Sequence, residues 1–174
     1  MIPEFSRPER LDTIGERDRT VEIAASAEER GKLAARFDVV SVESLEARFT
    51  IRREAGGFVA KGNVTARVIQ ACSVTDEPLT ATLDEPVALR FVADFGAAEG
   101  EIELSDDALD TVPIDGGAID LGEAAAETLA LALDPFPRGP NAAAALRAAG
   151  VISEDEYQPV NAFSGLKAKL EGRG

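Results

Sequence analysis

The sequence predicts an α+β fold: an antiparallel β-sheet, open or rolled toward a barrel, with two helices packed on it and a short tail helix at its C-terminal end. Three observations predict it. Residues 119–137, Ile-Asp-Leu-Gly-Glu-Ala-Ala-Ala-Glu-Thr-Leu-Ala-Leu-Ala-Leu-Asp-Pro-Phe-Pro, hold complete start, body and stop signals for a helix. Ser26-Ala-Glu-Glu29 is a second helix start of capping-box form. Between and around these lie several runs in which apolar and polar residues alternate, the period of half-buried strands.

Taken in order, residues 1–19 mix charges with Pro3 and Pro8 and read as a loosely held lead-in. Thr20-Val-Glu-Ile23 alternates as a short strand does. The helix opened by Ser26 runs to about Phe37, with Leu33 and Phe37 on one face. Residues 39–51 read as strand, interrupted near Glu43-Ser44. Gly56-Gly57 then separates two alternating runs and predicts a hairpin. On its first arm Phe49 and Ile51 share a face, leaving Arg48, Thr50 and Arg52 opposite. On its second arm Phe58, Val64, Ala66 and Val68 share a face, leaving Lys61, Thr65 and Arg67 opposite. With the apolar faces inward, Arg48, Arg52, Lys61 and Arg67 meet on one outer sheet surface. The same positions also suit ordinary solvated strand residues.

Residues 70–78 end that arm in a turn, and residues 86–95 supply another strand, with Val87, Leu89 and Phe91 on one face. Residues 99–112 are acidic and read as irregular, with Ile102 and Leu104 in a short strand at most. Asp115-Gly116-Gly117 turns the chain into the main helix. There Asp120 is the N-cap, and Glu123 completes a capping-box spacing. Leu121, Ala125, Thr128, Leu129 and Ala132 form one stripe, and Pro135 and Pro137 stop the helix. We therefore expect one α+β domain over residues 1–140. Residues 141–174 read as a linker and an amphipathic tail, with Phe163, Leu166 and Leu170 beside Lys167 and Lys169. That tail fits either docking on the domain or binding a partner.

Composition narrows the function. The formal charge is −14 over 174 residues, and it is unevenly placed. Residues 1–70 hold 12 basic and 12 acidic side chains, whereas residues 71–174 hold 6 basic and 20 acidic ones. Between Asp76 and Asp134 a single basic residue, Arg90, faces 16 acidic ones. Such a surface repels a phosphate backbone and attracts cations. No apolar run approaches the ~20 residues that cross a bilayer, and the N-terminus lacks a basic, then apolar, leader. The expectation is a soluble cytoplasmic protein without an internal disulfide, since Cys72 is the sole cysteine.

The sequence contains no histidine, which removes the commonest general base and every Ser-His or Cys-His pair. Cys72 alone cannot build a zinc site, and it reads as a packed small side chain. Glu54-Ala-Gly-Gly57 has neither the lysine nor the spacing of a phosphate loop. Asp106-Asp107 and Glu101-Ile-Glu103 lack calcium-loop spacing. We therefore expect no catalytic residues, no metal, no cofactor and no small-molecule substrate. An enzyme working through carboxylates alone stays as the third reading.

Gln70-Ala-Cys-Ser-Val-Thr-Asp-Glu-Pro78 and the Asp120-Leu121 to Pro135-Phe136-Pro137 stretch, with Glu127 between, resemble the YceD family of large ribosomal RNA subunit accumulation proteins. The resemblance runs along nearly the whole chain. Leu33-Ala-Ala-Arg-Phe37 and Val42-Glu-Ser-Leu45 are similar to the family's early helix and strand. Asn161-Ala-Phe163-Ser-Gly-Leu166 is similar to its closing element, with Ala162 where proline is usual. Many relatives carry Cys-x-x-Cys at the central turn. Thr75 replaces the second cysteine, so a metal or redox role is not carried over. The motif residues are thus Gln70, Cys72, Thr75, Glu77, Pro78, Asp120, Leu121, Glu127, Pro135, Pro137 and Phe163.

The resemblance implies a non-enzymatic role in synthesis, processing or stability of 23S ribosomal RNA, and a gene that commonly neighbours that of a large-subunit ribosomal protein. Two modes of action follow. In the first, the acidic surface, represented by Asp106, Asp107 and Asp110, contacts a basic ribosomal protein. In the second, Arg48, Arg52, Lys61 and Arg67 bind ribosomal RNA directly.

Overall fold

The computed structural model describes residues 3–92, 110–114, 116–152 and 156. Its elements in order are β1 (Pro8–Arg10), a 3-10 turn (Leu11–Thr13), β2 (Arg19–Ala24), α1 (Ala27–Arg36), β3 (Ser41–Glu54), β4 (Gly57–Ala71) and β5 (Pro78–Val92). They continue with β6 (Asp110–Pro113), β7 (Ala118–Asp120), α2 (Leu121–Ala132) and α3 (Ala142–Ala148). Strands β2-β3-β4-β5-β6 form one sheet in that order, and β1 pairs with β7 in a second. The described strands make an open sheet, not a closed barrel, and the sheet is not wholly antiparallel. Strand β6 runs parallel to the end of β5, with Leu89 opposite Asp110.

The long β3–β4 hairpin is the frame. Gly56, at φ 86°, supplies the left-handed turn that brings Glu54 opposite Gly57. The expected interruption near Glu43-Ser44 is a bulge, where the register shifts between Val42 and Ser44. Leu45, Ala47, Phe49 and Ile51 on β3 and Ala60, Val64, Ala66 and Val68 on β4 are buried in one core. Each fully buried large side chain contributes about 1.5–3 kcal/mol of transfer free energy. Helices α1 and α2 close over this face, and the other face carries the polar residues.

Helix α1 starts as its capping box predicts. The Glu29 amide donates to Ser26 Oγ, and the Glu29 carboxylate accepts from the Ser26 amide at 2.8 Å. It ends in a left-handed closure: the Val39 amide donates to Ala34 O at 3.1 Å across Asp38, which sits at φ 53°. Helix α2 has its cap at Asp120 as expected, but only half of the predicted box. Asp120 accepts from the Gly122 and Glu123 amides. Glu123 does not return to the cap; it grips Arg36 of α1 at 2.7 Å, a partner 87 residues away. The predicted stripe is broader than drawn. Gly122, Ala124 and Ala126 are buried along with Leu121, Ala125 and Leu129, while Thr128 and Ala132 are half-buried.

Three further expectations are corrected. The lead-in is not loosely held: Phe5 and Ile14 are buried, and Arg7 stacks over the Phe5 ring at 4.6 Å. Gly122 allows this close approach, because a Cβ there would lie 2.6 Å from Phe5 O. Strand β5 begins at Pro78, not Pro86. Leu79, Ala81 and Leu83 are half-buried, alternating with exposed Thr80, Thr82 and Asp84. Pro86 is tolerated because β6 pairs only from Leu89 onward, so among the described residues β5 has no neighbour on that side at Pro86. Residues 110–112, expected to be irregular, lie in β6. Ile102 and Leu104 lie outside the described residues.

Candidate functional site

The residues of the central turn come together with the ends of both long helices. Strand β4 leads through Gln70 and Cys72 into a tight loop. There the Cys72 amide donates to Glu77 O at 2.8 Å and the Asp76 amide to Cys72 O at 3.0 Å. Asp76 takes φ 57° to close that loop. The segment after α2 crosses beside it. Gln70 Nε2 donates to Asp134 O at 2.9 Å, the Ser73 amide to Pro137 O at 2.8 Å, and Asn141 Nδ2 to Glu77 Oε1 at 2.9 Å. Between these strands of chain and the end of α1 lies a groove of about 490 Å³, lined by Phe37, Asp38, Val39, Gln70, Cys72, Asp76, Leu133, Asp134, Pro135 and Pro137 among others.

Cys72 is fully buried in the floor. Its Sγ accepts from the Gly139 amide at 3.3 Å. That amide, the Thr75 hydroxyl and the Val74 and Thr75 amides stabilise the thiolate against burial, and they lower the thiol to about 7. The Thr75 hydroxyl also reaches Glu77 at 3.0 Å, so it braces the loop from inside. Among the described residues no three His, Cys, Asp or Glu side chains converge to hold a metal ion.

The groove is electronegative. Asp38, Asp76 and Asp134 join no salt bridge among the described residues. Asp38 follows the C-terminal end of α1 and Asp134 that of α2, where the helix dipole is already negative. Pro135 and Pro137 line the groove, and Phe136 between them is 72% exposed, its amide donating to Asp134 Oδ1 at 2.9 Å.

This groove is built from the Gln-x-Cys and Asp-Pro-Phe-Pro elements of the sequence, and the family comparison covers both. The model of the family described as large ribosomal RNA subunit accumulation protein YceD matches residues 60–168. The chain belongs to the YceD family. Neither a curated protein nor a solved structure matches it. Membership in YceD implies a role in the accumulation of large-subunit ribosomal RNA.

Of the YceD motif residues, Gln70, Cys72, Pro135 and Pro137 line the groove, and Thr75 and Glu77 brace its loop. Pro78 opens β5. Asp120 and Leu121 sit at the opposite end of α2, where Asp120 also accepts from the Arg7 amide at 2.7 Å and from Ser6 Oγ at 2.5 Å. Glu127 faces outward, and partial desolvation with the neighbouring Glu123 charge raises its carboxyl above the usual range. Glu127 and Asp110 line a separate groove with Glu85 and the exposed Leu131. Asp106, Asp107 and Phe163 lie outside the described residues.

The four candidate RNA-binding cations do share the outer sheet face. Arg48 lies opposite Asn63, Thr50 opposite Lys61, and Ser44 opposite Arg67. Acids share that face too. Arg48 is 3.5 Å from Glu22, and Arg52 is bound by Glu54 at 2.5 Å and Asp18 at 3.3 Å. Asn63 is hydrogen-bonded to Asp84. Lys61 and Arg67 join no salt bridge among the described residues. No described helix is long and apolar enough to cross a membrane.

Sequence reasoning missed Asp38 and Asp134 as groove residues. One signal was available for Asp38: an acid stands just past a helix end, where glycine or asparagine is usual.

Proposed function

We propose that the chain is a non-enzymatic cytoplasmic factor that supports synthesis, processing or stability of 23S ribosomal RNA and assembly of the large subunit through contact with a basic ribosomal protein. The observation that carries this reading is the distribution of paired charge. Of the ten salt bridges among the described residues, nine take their acid from residues 1–70 and one from Glu123. Asp76, Asp84, Asp110, Glu127 and Asp134 are exposed and join no salt bridge among the described residues, so their charge is available to a cationic protein and hostile to phosphate.

A second reading, direct RNA binding, is favoured by one feature: Lys61 and Arg67, on one strand, join no salt bridge among the described residues. If Arg48, Arg52, Lys61 and Arg67 each met a phosphate, the salt slope would be roughly −3.6. A pull-down of the tagged protein from bacterial lysate, with and without nuclease and across salt, separates the two. Recovery of a basic ribosomal protein despite nuclease supports the first reading. Recovery only with intact RNA, lost when the four cations become Glu, replaces it with the second.

A further inference from the structure

We infer that the groove between the turn at residues 72–77 and the ends of α1 and α2 is a docking site for a cationic peptide segment whose basic residues flank an apolar one. This rests on the reading that the chain contacts a basic protein; it adds where the contact is made and what is gripped. The first argument is the cost of the acids. Asp38 and Asp134 sit at helix C-termini, where a carboxylate opposes the dipole and a lysine or arginine stabilises. Asp38 and Asp76 hold left-handed backbone, which glycine or asparagine adopts without adding charge. Two acids placed against helix dipoles, with a third beside them around one concavity, are explained by a cation that comes from outside.

The second argument is that the chain's nearby cations do not fill that role. Arg36, in the last turn of α1, is turned away to Glu4 and Glu123. Arg138, next to Pro137, is exposed and joins no salt bridge among the described residues. The third is the lining. Phe37, Val39, Leu133, Pro135 and Pro137 give the groove an apolar wall beside its acids, and Phe136, between the two lining prolines, is exposed next to it. Nucleic acid is disfavoured here, because the same carboxylates repel its phosphates.

The test measures fluorescence anisotropy of a short labelled peptide alternating Arg and Leu, titrated with the full chain at low and high salt. D38N/D76N/D134N keeps left-handed backbone accessible and retains the amide-accepting oxygen at position 134. It should weaken binding about tenfold, as loss of three exposed pairs implies. F136A should weaken binding several-fold at both salts. D84N/E85Q/E127Q, which removes as much charge elsewhere in the acidic half, should leave it within about twofold. Equal loss in both triple variants overturns the groove but leaves the acidic-surface reading standing. No binding by the unaltered chain overturns both. Tighter binding by K167E/K169E also overturns the inference, because the chain's own tail would then be the occupant.

Discussion

The outer face of the β3–β4 hairpin and the groove at the helix ends both carry charge, and they use it in opposite ways. On that sheet face Arg48 and Arg52 of β3 and Arg90 of the neighbouring β5 each face an acid from this chain, and Glu54 serves two of them. Arg52 and Arg90 also flank Val59, which is buried on that same face although it lies outside the main core. Those ion pairs tie that part of the face together, and Lys61 and Arg67 stand outside them among the described residues. In the groove Asp38, Asp76 and Asp134 have no such partners. A charge satisfied at home contributes to the fold, whereas an unsatisfied one is available to a stranger.

The largest expected effect strikes the frame under both regions. A Cβ at Gly62 would lie 1.8 Å from Arg48 O, with the β3 backbone unable to give way. Gly62→Ala should destabilise the protein by about 3 kcal/mol, at the upper end of overpacking costs, and urea titration reads this directly. Because β4 carries Lys61 and Arg67 and then leads to Cys72, peptide binding should fall with it. A stable G62A protein would mean that the two strands are not held as tightly as their register implies.

Asp120 sharpens the contrast next, since it is an acid of the charged half that is fully used at home. It accepts from the Gly122, Glu123 and Arg7 amides and from Ser6 Oγ, joining α2 to the N-terminal strap. Asp120→Ala should cost about 2 kcal/mol, with Asp120→Asn recovering most of it. Equal losses in the two variants would show that the negative charge, not the cap geometry, is what matters.

How far the sequence reaches follows the same division between local and distant partners. The Ser26–Glu29 box, the Asp120 cap, the Gly56 turn and the facing of Phe49 and Val64 are decided within a few residues, and all are present. Glu123 was misread because its partner, Arg36, is brought to it only by packing of α2 beside α1. Pro86 hid the first half of β5, since a proline at an open edge is indistinguishable in sequence from one that ends a strand. The acidity of the 71–174 half was plain from composition. The meeting of two of its acids, Asp76 and Asp134, with Asp38 of the neutral half was not, because the three come together only in the folded chain.

Acid titration gives a smaller effect on the satisfied side. The Arg7 guanidinium, with the Ser26 backbone and side chain, lowers the Glu29 carboxyl from 4.5 to about 2. A carboxyl lowered on folding stabilises above its unfolded pKa, and that stability is lost as pH falls from about 5 toward 2. After allowance for solvent screening at a partly exposed pair, the loss is about 1–2 kcal/mol. Glu29→Gln should flatten this part of the stability profile. An unchanged profile would show that Arg7 gains nothing from the charge.

The smallest effect is the most telling, because its sign differs between the two regions. Glu54→Gln removes the acid shared by Arg52 and Arg90, so the melting temperature should fall slightly. D38N/D76N/D134N removes three unpaired acids from one groove and from two helix C-termini, so the melting temperature should rise by about a degree. Salt provides the control. With a screening length of about 30 Å at 0.01 M and about 3 Å at 1 M, both shifts should shrink together as salt is added. Asn at positions 38 and 76 suits left-handed backbone as well as Asp does, so backbone strain does not enter the difference. If the groove variant melted lower at 0.01 M salt, its acids would be stabilising the chain through contacts of their own. They would then be no freer to receive a cation than the acids of the hairpin face.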